Sequence, residues 1–191
     1  LPPERMKLIV PSRWLERLVR QSFLDKYDVT VQHNQIDKSI FRPVESHFKK
    51  VNGLENKTMI LSVASKWTER KGLNDVIHLS QVLDLDNYVI VAVGLNKNQI
   101  KEVSSSIIAL PRTDTVDELV DIYNAADVFF NPTLEDNYPT VNLEAEACGT
   151  PVITYDTGGC AETISLEESK VVDSFPQAVL AIESIFSNPV N

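Results

Sequence analysis

Cysteine is scarce in this 191-residue chain: only Cys148 and Cys160 occur. Two cysteines make no disulfide framework, and no metal-ligand spacing accompanies them, since His33, His47 and His78 stand apart with no motif around them. The thiols adjoin Gly149 and Gly159 in stretches that read as packed turns, so buried free thiols of a reducing compartment are expected. No run of about 18 apolar residues occurs, so no membrane-spanning helix is expected, and nothing reads as a signal peptide. Basic charge is in deficit: 18 Lys and Arg against 27 Asp and Glu leave a net charge of -9, with no strong basic patch for a nucleic acid. The pairs Lys49-Lys50 and Arg70-Lys71, each taken alone, read as solvated surface. Asn56-Lys57-Thr58 fits a glycosylation sequon and is read as a chance match. Glycine is rare too, with six residues and no G-x-G-x-x-G, so the usual dinucleotide fingerprint is missing. The chain opens on Leu1-Pro2-Pro3 rather than methionine, and a fragment or processed product is expected.

What is present suits one globular domain, or a domain with an appendage: 43% of residues are hydrophobic and 24% charged. Leu8-Ile9-Val10 reads as a strand, and Ser12 then caps a helix carrying Leu15, Leu18, Val19 and Phe23 at spacings of three and four. Val29-Thr30-Val31 is the next strand, and residues 34–57 read as irregular. Beyond them strands are expected at 59–63, 88–93, 107–110, 128–130, 151–154 and 170–172. Helices are expected at 73–84, 97–104, 115–126, 140–148, 160–165 and 175–187. Val89-Ile90-Val91-Ala92-Val93 is apolar throughout, as a strand covered on both faces must be. This alternation predicts an α/β, Rossmann-like, doubly wound parallel sheet. Five of the glycines fall at expected element ends, and ligands of such sheets bind outside the carboxyl ends of the strands.

The stretch EDNYPTVNLEAEACGTPVITYDTGG, residues 135–159, clusters Glu135, Asp136, Glu144 and Glu146 within twelve residues against an apolar strand. On a helix over 140–148, Val141, Ala145 and Cys148 form an apolar stripe, and Glu144 lies about 60° from Val141 at its edge. Glu146 and Asn142 turn away, toward solvent. Glu144 therefore needs a partner, whereas Glu146 does not. Asp136 and Glu135 precede the helix, where its dipole favours negative charge. The same N-terminus, with free amides around Thr140 and Val141, suits a phosphate. A phosphate flanked by a carboxylate at each end describes a nucleoside diphosphate bearing two hydroxyl-rich groups.

These residues carry a resemblance. Asp136, seven intervening residues, Glu144, Ala145, then Gly149-Thr150-Pro151-Val152 and Gly158-Gly159-Cys160-Ala161-Glu162 are similar to the signature of retaining nucleotide-sugar glycosyltransferases of the GT-B fold, in the large family-four group. SKWTERKGLNDVI resembles that family's basic segment, with Lys66 and Lys71 keeping its five-residue step. VDELVDIYNAADVFFNPTLED resembles the helix and strand that lead into the acidic motif. VPSRWLERLVRQSFL and VQHNQIDKSIFRP resemble the end of the amino-terminal domain and the crossover. The resemblance implies three parts: residues 1–45 as the end of an amino-terminal domain and crossover, 46–57 as a linker, and 58–191 as the nucleotide-sugar-binding domain, the C-terminal half of a GT-B fold.

The resemblance also implies roles. Asp136 matches the acid that contacts the donor sugar, and Glu144 the glutamate that holds the ribose. Lys71 and Lys66 match the basic pair facing the diphosphate, which with Asp136 form the catalytic set. Thr140 and Val141 match the amides that cradle phosphate, and Ile108 a position whose backbone lies near the base. Three positions depart from the family's pattern. Asp136 is one carbon shorter than the usual glutamate, with Glu135 beside it to compensate. Lys66 replaces a common arginine and its bidentate fork. Pro139 replaces a common glycine and removes one amide.

The expected activity is transfer of a sugar from a nucleoside diphosphate sugar to a glycan or lipid-linked acceptor, with no metal or other cofactor and no nucleic-acid partner. The acceptor belongs to an amino-terminal domain, and the expected setting is cytoplasmic, with peripheral membrane contact of a longer protein. Two other readings stand beside it: a non-catalytic nucleotide-sugar-binding or assembly module of the same fold, and a nucleotide-sugar epimerase of related architecture.

Overall fold

In the computed structural model, residues 5–103 and 107–187 are described. Lys7–Val10 (β1) and Asp28–Val31 (β2) form a separate two-stranded parallel sheet, joined by helix α1 (Arg13–Arg20). Ser12 caps α1 as the sequence suggests, its hydroxyl accepting from the Leu15 amide at 3.1 Å. The helix is shorter than its apolar spacing predicts. The Ser22 hydroxyl donates to the Val19 carbonyl at 2.8 Å and accepts from the Leu24 amide, which turns the backbone away from helix. Phe23 therefore leaves the stripe and stands 84% exposed.

Within the stretch read as irregular, Phe48–Val51 makes a single helical turn (α2). Around it Leu54 is buried, and Phe41 and Phe48 pack beside it. Lys49 is not the solvated cation its sequence context suggests: it pairs with Asp127, whose carboxylate also accepts from the Met59 amide at 2.6 Å.

The larger sheet has six parallel strands, β3 (Thr58–Val63), β4 (Tyr88–Val93), β5 (Ile107–Leu110), β6 (Val128–Asn131), β7 (Val152–Tyr155) and β8 (Lys170–Val172). Their spatial order is β5-β4-β3-β6-β7-β8. The connecting helices are α3 (Leu73–Val82), α4 (Lys97–Glu102), α5 (Val116–Ala125), α6 (Thr140–Ala147) and α7 (Phe175–Ser187). The segment 160–165, expected as a helix, is only the short 3-10 turn Cys160–Thr163.

Two-residue alternation sends each strand's side chains to opposite faces. From β3 and β4, Ile60, Ile90 and Ala92 join Val76 and Leu79 of α3 and Ala178 and Ile182 of α7. Met59, Leu61, Val89 and Val91 join Val120 and Tyr123 of α5 and Ala145 of α6 on the other face. Both faces are thus covered, which is why β4 is apolar throughout. Each fully buried Ile or Leu here contributes about 1.5–3 kcal/mol. Cys148 and Cys160 are free and buried. Among the described residues no helix is long and apolar enough to cross a membrane.

The chain winds outward through β3, β4 and β5, then jumps back to place β6 beside β3. Adjacent connections there leave in opposite directions and open a crevice at the carboxyl ends of the strands. Two glycines shape its edges. Gly94, ending β4, has φ of +94° and its backbone passes so close to Ala64 that a Cβ would fall 1.8 Å from that carbonyl oxygen. Gly158, with φ of +60°, packs as tightly on the carbonyl of Asp136, at 2.0 Å by the same measure.

The small sheet is tied to this same end. Glu162 accepts from the amides of Arg13 and Trp14 at 2.8 Å each, capping α1 from a distance of 148 residues in sequence. His33, just past β2, stacks on Tyr138 with ring centroids 4.9 Å apart.

Candidate functional site

A cavity of about 460 Å³ occupies the crevice between the ends of β3 and β6. One wall comes from the loop before α6 and its first turns: Asp136, Tyr138, Pro139, Thr140, Val141 and Glu144. Lys71 closes that end. Residues 63–65 after β3 and 93–94 at the end of β4 line the floor, and Arg112 to Val116 with Leu119 form the far wall.

The acidic loop is held from several sides. The Gly159 amide donates to the Asp136 carbonyl at 2.8 Å. The Thr133 hydroxyl reaches the carbonyls of Arg70 and Glu135 at 3.3 Å each, and Arg70 donates to the Glu135 carbonyl at 2.6 Å. Asp136 spends one carboxylate oxygen on the Tyr138 amide at 3.1 Å and the other on the Lys71 ammonium at 2.5 Å. Lys71 and Asp136 are 22% and 19% exposed, so their attraction is only weakly screened. Lys71 is set in place by a short 3-10 turn, Glu69–Lys71, that ends on Gly72.

Pro139 caps α6 and holds the extended conformation that its ring prefers, with φ of -69°. The amides of Thr140 and Val141 follow, and first-turn amides have no acceptor within their own helix. Both residues line the cavity, so their N–H groups and the helix dipole favour an anion here.

Glu144 lies one turn further along α6. It finds the partner that its position requires: the hydroxyl of the fully buried Tyr123 on α5 donates to it at 3.0 Å. Burial raises the Glu144 carboxyl above its ordinary range, while the bonds from Tyr123 and the Thr140 hydroxyl pull the other way. The Tyr123 hydroxyl is pushed well up, first by burial and then by the Glu144 charge. Desolvation likewise raises the Cys148 thiol, to about 11, which makes it inert at neutral pH.

Five of the sequence-predicted residues thus share the cavity wall: Lys71, Asp136, Thr140, Val141 and Glu144. Three others lie outside the lining. Lys66 is exposed, because Trp67 beside it turns inward to donate its ring N–H to the Val93 carbonyl at 2.8 Å. Glu135 is exposed and contributes its backbone carbonyl to the loop, and Ile108 packs along β5. Two neighbours of Glu144 differ from the sequence reading. Asn142 does not face solvent: it is fully buried, accepting from Asn131 and donating to Thr163, both at 2.8 Å. Glu146 does not face solvent freely either, for its carboxylate takes hydrogen bonds from Ser165, Leu166 and Ser169. Tyr123, Tyr138 and Arg112 are site residues that sequence reasoning missed. Tyr123 reads as one more apolar position of its helix, which hides the use of its hydroxyl; Tyr138 meets a ring from a distant segment, His33, and Arg112 lies in a loop without periodicity.

Comparison with known proteins matches residues 44–189 to the family described as Glycosyl transferases group 1. A D-inositol 3-phosphate glycosyltransferase from Streptomyces bingchenggensis is 29% identical over 164 residues, covering 75% of this chain and 36% of that enzyme. Among solved structures, sucrose-phosphate synthase from Thermosynechococcus elongatus superposes with a TM-score of 0.81 at 22% identity, covering 96% of this chain and 49% of that one. The Anabaena protein HepE in complex with UDP-glucose superposes with a TM-score of 0.77 at 15% identity, covering 93% and 53%. The chain therefore spans about half the length of these solved proteins and less of the curated relative. It belongs to the group 1 glycosyltransferases, and its six-stranded sheet is the Rossmann-like sheet of their GT-B fold.

Proposed function

We propose that this group 1 glycosyltransferase chain is the donor-binding domain of an enzyme that transfers a sugar from a nucleoside diphosphate sugar to a glycan or lipid-linked acceptor. The observation that carries this reading is the single cavity wall on which Lys71, Asp136, the first amides of α6 and Glu144 converge. The Glu144 carboxylate accepts from the ribose hydroxyls. The diphosphate lies on the amides of Thr140 and Val141, and the sugar meets Asp136. The complex of the HepE neighbour with UDP-glucose supports a donor of this class.

The chemistry follows from where charge develops. The bond between the anomeric carbon and the β-phosphate oxygen breaks, and its electron pair leaves with the diphosphate. Lys71 and the helix amides oppose that negative charge without a metal or other cofactor. Attack from the same face retains the anomeric configuration, with the acceptor hydroxyl passing its proton to the departing phosphate. Because Lys71 is already paired with Asp136, the incoming diphosphate takes over one member of an existing ion pair. Lys66 reaches the phosphates only by swinging in from its exposed position, and an acceptor-bearing domain completes the enzyme.

Isothermal calorimetry of this chain against UDP, GDP, ADP and CMP tests the reading. A diphosphate is expected to bind, and Glu144→Ala is expected to abolish most of that binding. If no nucleotide binds this chain or any longer form of the protein, the reading fails.

A further inference from the structure

Tyr123 is fastened at two points. Its carbonyl accepts from the Thr150 hydroxyl at 2.7 Å, which fixes the backbone, and its own hydroxyl donates to Glu144 at 3.0 Å. The ring between them is fully buried, so its place is set by what packs against it. Among the described residues it meets two aromatic rings. Phe129 belongs to β6 and lies 5.7 Å away between centroids. Phe41 lies 6.2 Å away, edge to face at 76°, and comes from outside the large sheet and its helices, from the crossover between β2 and α2. That segment is tied down on both sides of Phe41. Before it, the Phe41 amide donates to the Asp37 carbonyl at 3.0 Å. After it, Asn124, next to Tyr123 on α5, accepts from the Val44 amide at 2.8 Å and donates to the Arg42 carbonyl at 3.2 Å. Asp121 on the same helix takes the Ser46 hydroxyl on its carbonyl at 2.8 Å and the His47 amide on its carboxylate at 2.9 Å. The crossover thus runs along the second half of α5 and delivers the Phe41 ring to Tyr123.

We infer that Phe41 is a positioning residue for the nucleotide site: by holding the Tyr123 ring it holds the hydroxyl that orients Glu144, and so ties the crossover to the carboxylate assigned to the ribose. The hydroxyl stands at the far end of the ring, so a tilt about the Cα–Cβ bond displaces it more than any other atom of the side chain. A hydrogen bond weakens steeply with distance and angle, so a small tilt is enough to release Glu144. Phe129 cannot prevent that tilt alone, because it covers the ring from the sheet side only. Phe41 itself does not line the cavity, so its effect on a ligand passes through Tyr123. Coupling of this kind is reciprocal: whatever shifts the crossover changes nucleotide affinity, and a bound nucleotide steadies the crossover. The inference rests on the donor-binding reading and adds to it a residue outside the cavity on which the site depends.

A double-mutant cycle tests it: calorimetry of wild type, Phe41→Ala, Tyr123→Phe and the double variant against whichever of UDP, GDP and ADP the wild type binds most tightly. Phe41→Ala is expected to weaken affinity about two- to fivefold, no more than Tyr123→Phe does, because its effect runs through the same hydroxyl. Once that hydroxyl is gone, adding Phe41→Ala is expected to change affinity by less than about 1.5-fold. A purely structural Phe41 gives another pattern, a lower melting temperature in both backgrounds with the affinity of the folded protein unchanged. If Phe41→Ala does not fold, Phe41→Leu, which fills much of the space and removes the ring, takes its place in the cycle with the same expectation. Unchanged affinity in the Phe41 variant, or an equal loss in both backgrounds, overturns the assignment and leaves the donor-binding reading standing. Absence of wild-type binding to every diphosphate removes the reading beneath it and the inference together.

Discussion

Glu144 and Glu146 stand two positions apart on α6, about 200° apart around its axis, and the two faces of the helix use a carboxylate differently. Glu146 is wrapped by the loop before β8: the amides of Ser165 and Leu166 and the hydroxyls of Ser165 and Ser169 all donate to it, at 2.6–3.1 Å. Glu144 has the Tyr123 hydroxyl and the weaker help of Thr140, and it faces a cavity. One carboxylate has its acceptor capacity filled by the protein, and the other keeps capacity for something else. Saturation of hydrogen bonds, more than burial, separates the acid that the loop holds from the one that the proposed function assigns to binding.

The largest effect that can break this comparison belongs to Glu146. Glu146→Ala leaves the amides of Ser165 and Leu166 without their acceptor and frees the loop that leads into β8. A loss of about 3 kcal/mol is expected, read as a fall of roughly 6–12 °C in thermal midpoint. Nucleotide affinity of the folded fraction should stay within about twofold of wild type, since a cost of this kind falls on the fold. A large affinity loss at intact stability would instead place Glu146 in the site.

Glu144→Ala should show the mirror image. Stability falls by only about 1 kcal/mol, because the Tyr123 hydroxyl loses its acceptor while a carboxyl that burial disfavours in its charged form is removed. Affinity for a nucleoside diphosphate falls about 10- to 100-fold, the worth of a charge-assisted hydrogen bond to a ribose hydroxyl. Calorimetry and a melting curve on the same samples separate the two glutamates.

The difference between them was only half legible in the sequence. The Asp136-to-Glu144 spacing, the edge position of Glu144 and the strand pattern all survive in the structure, because each rests on a period or a fixed interval. Helix α7 and strands β4, β5 and β8 begin and end where the pattern places them. The placement of Asn142 and Glu146 failed because a helical wheel assumes one buried face. Helix α6 is enclosed on more than one side, with Ala145 and Asn142 both fully buried. Asn142 survives there through the chain Asn131–Asn142–Thr163, and a satisfied polar core leaves no trace in hydrophobic periodicity. Lys66 shows the limit of interval reasoning: it stands five positions before Lys71, yet the inward turn of Trp67 sends it outward. Long-range partners such as Glu162 with Arg13 were equally out of reach, since nothing local encodes a partner 149 residues away.

Tyr123→Phe sharpens the comparison from the other side by removing the strongest protein donor to Glu144 while keeping the ring in its buried place. The expected stability cost is about 1 kcal/mol. Affinity for the diphosphate should weaken a few-fold, because the carboxylate loses its orientation as well as a bond that favours its charged form. Unchanged affinity would show that α6 alone positions Glu144.

The smallest effect concerns the proton on Glu144. Burial raises its carboxyl in the folded protein above the unfolded value, so the folded state keeps that proton to a higher pH than the unfolded state does. The group's contribution to stability is then full below the unfolded value and is lost as pH rises through the folded one. At neutral pH the charged, partly desolvated carboxylate is a standing cost. Glu144→Gln removes the charge and keeps an amide oxygen for Tyr123 to donate to. Its melting temperature should therefore exceed that of wild type by a degree or two at pH 7, and the two should converge near pH 4, where wild type is protonated as well. The same substitution cannot accept from a ribose hydroxyl as a carboxylate does, so the variant that melts later binds the diphosphate less tightly. A Gln variant that is less stable at pH 7 would mean that Glu144 is held by the protein as Glu146 is, and the contrast between the two faces of α6 would dissolve.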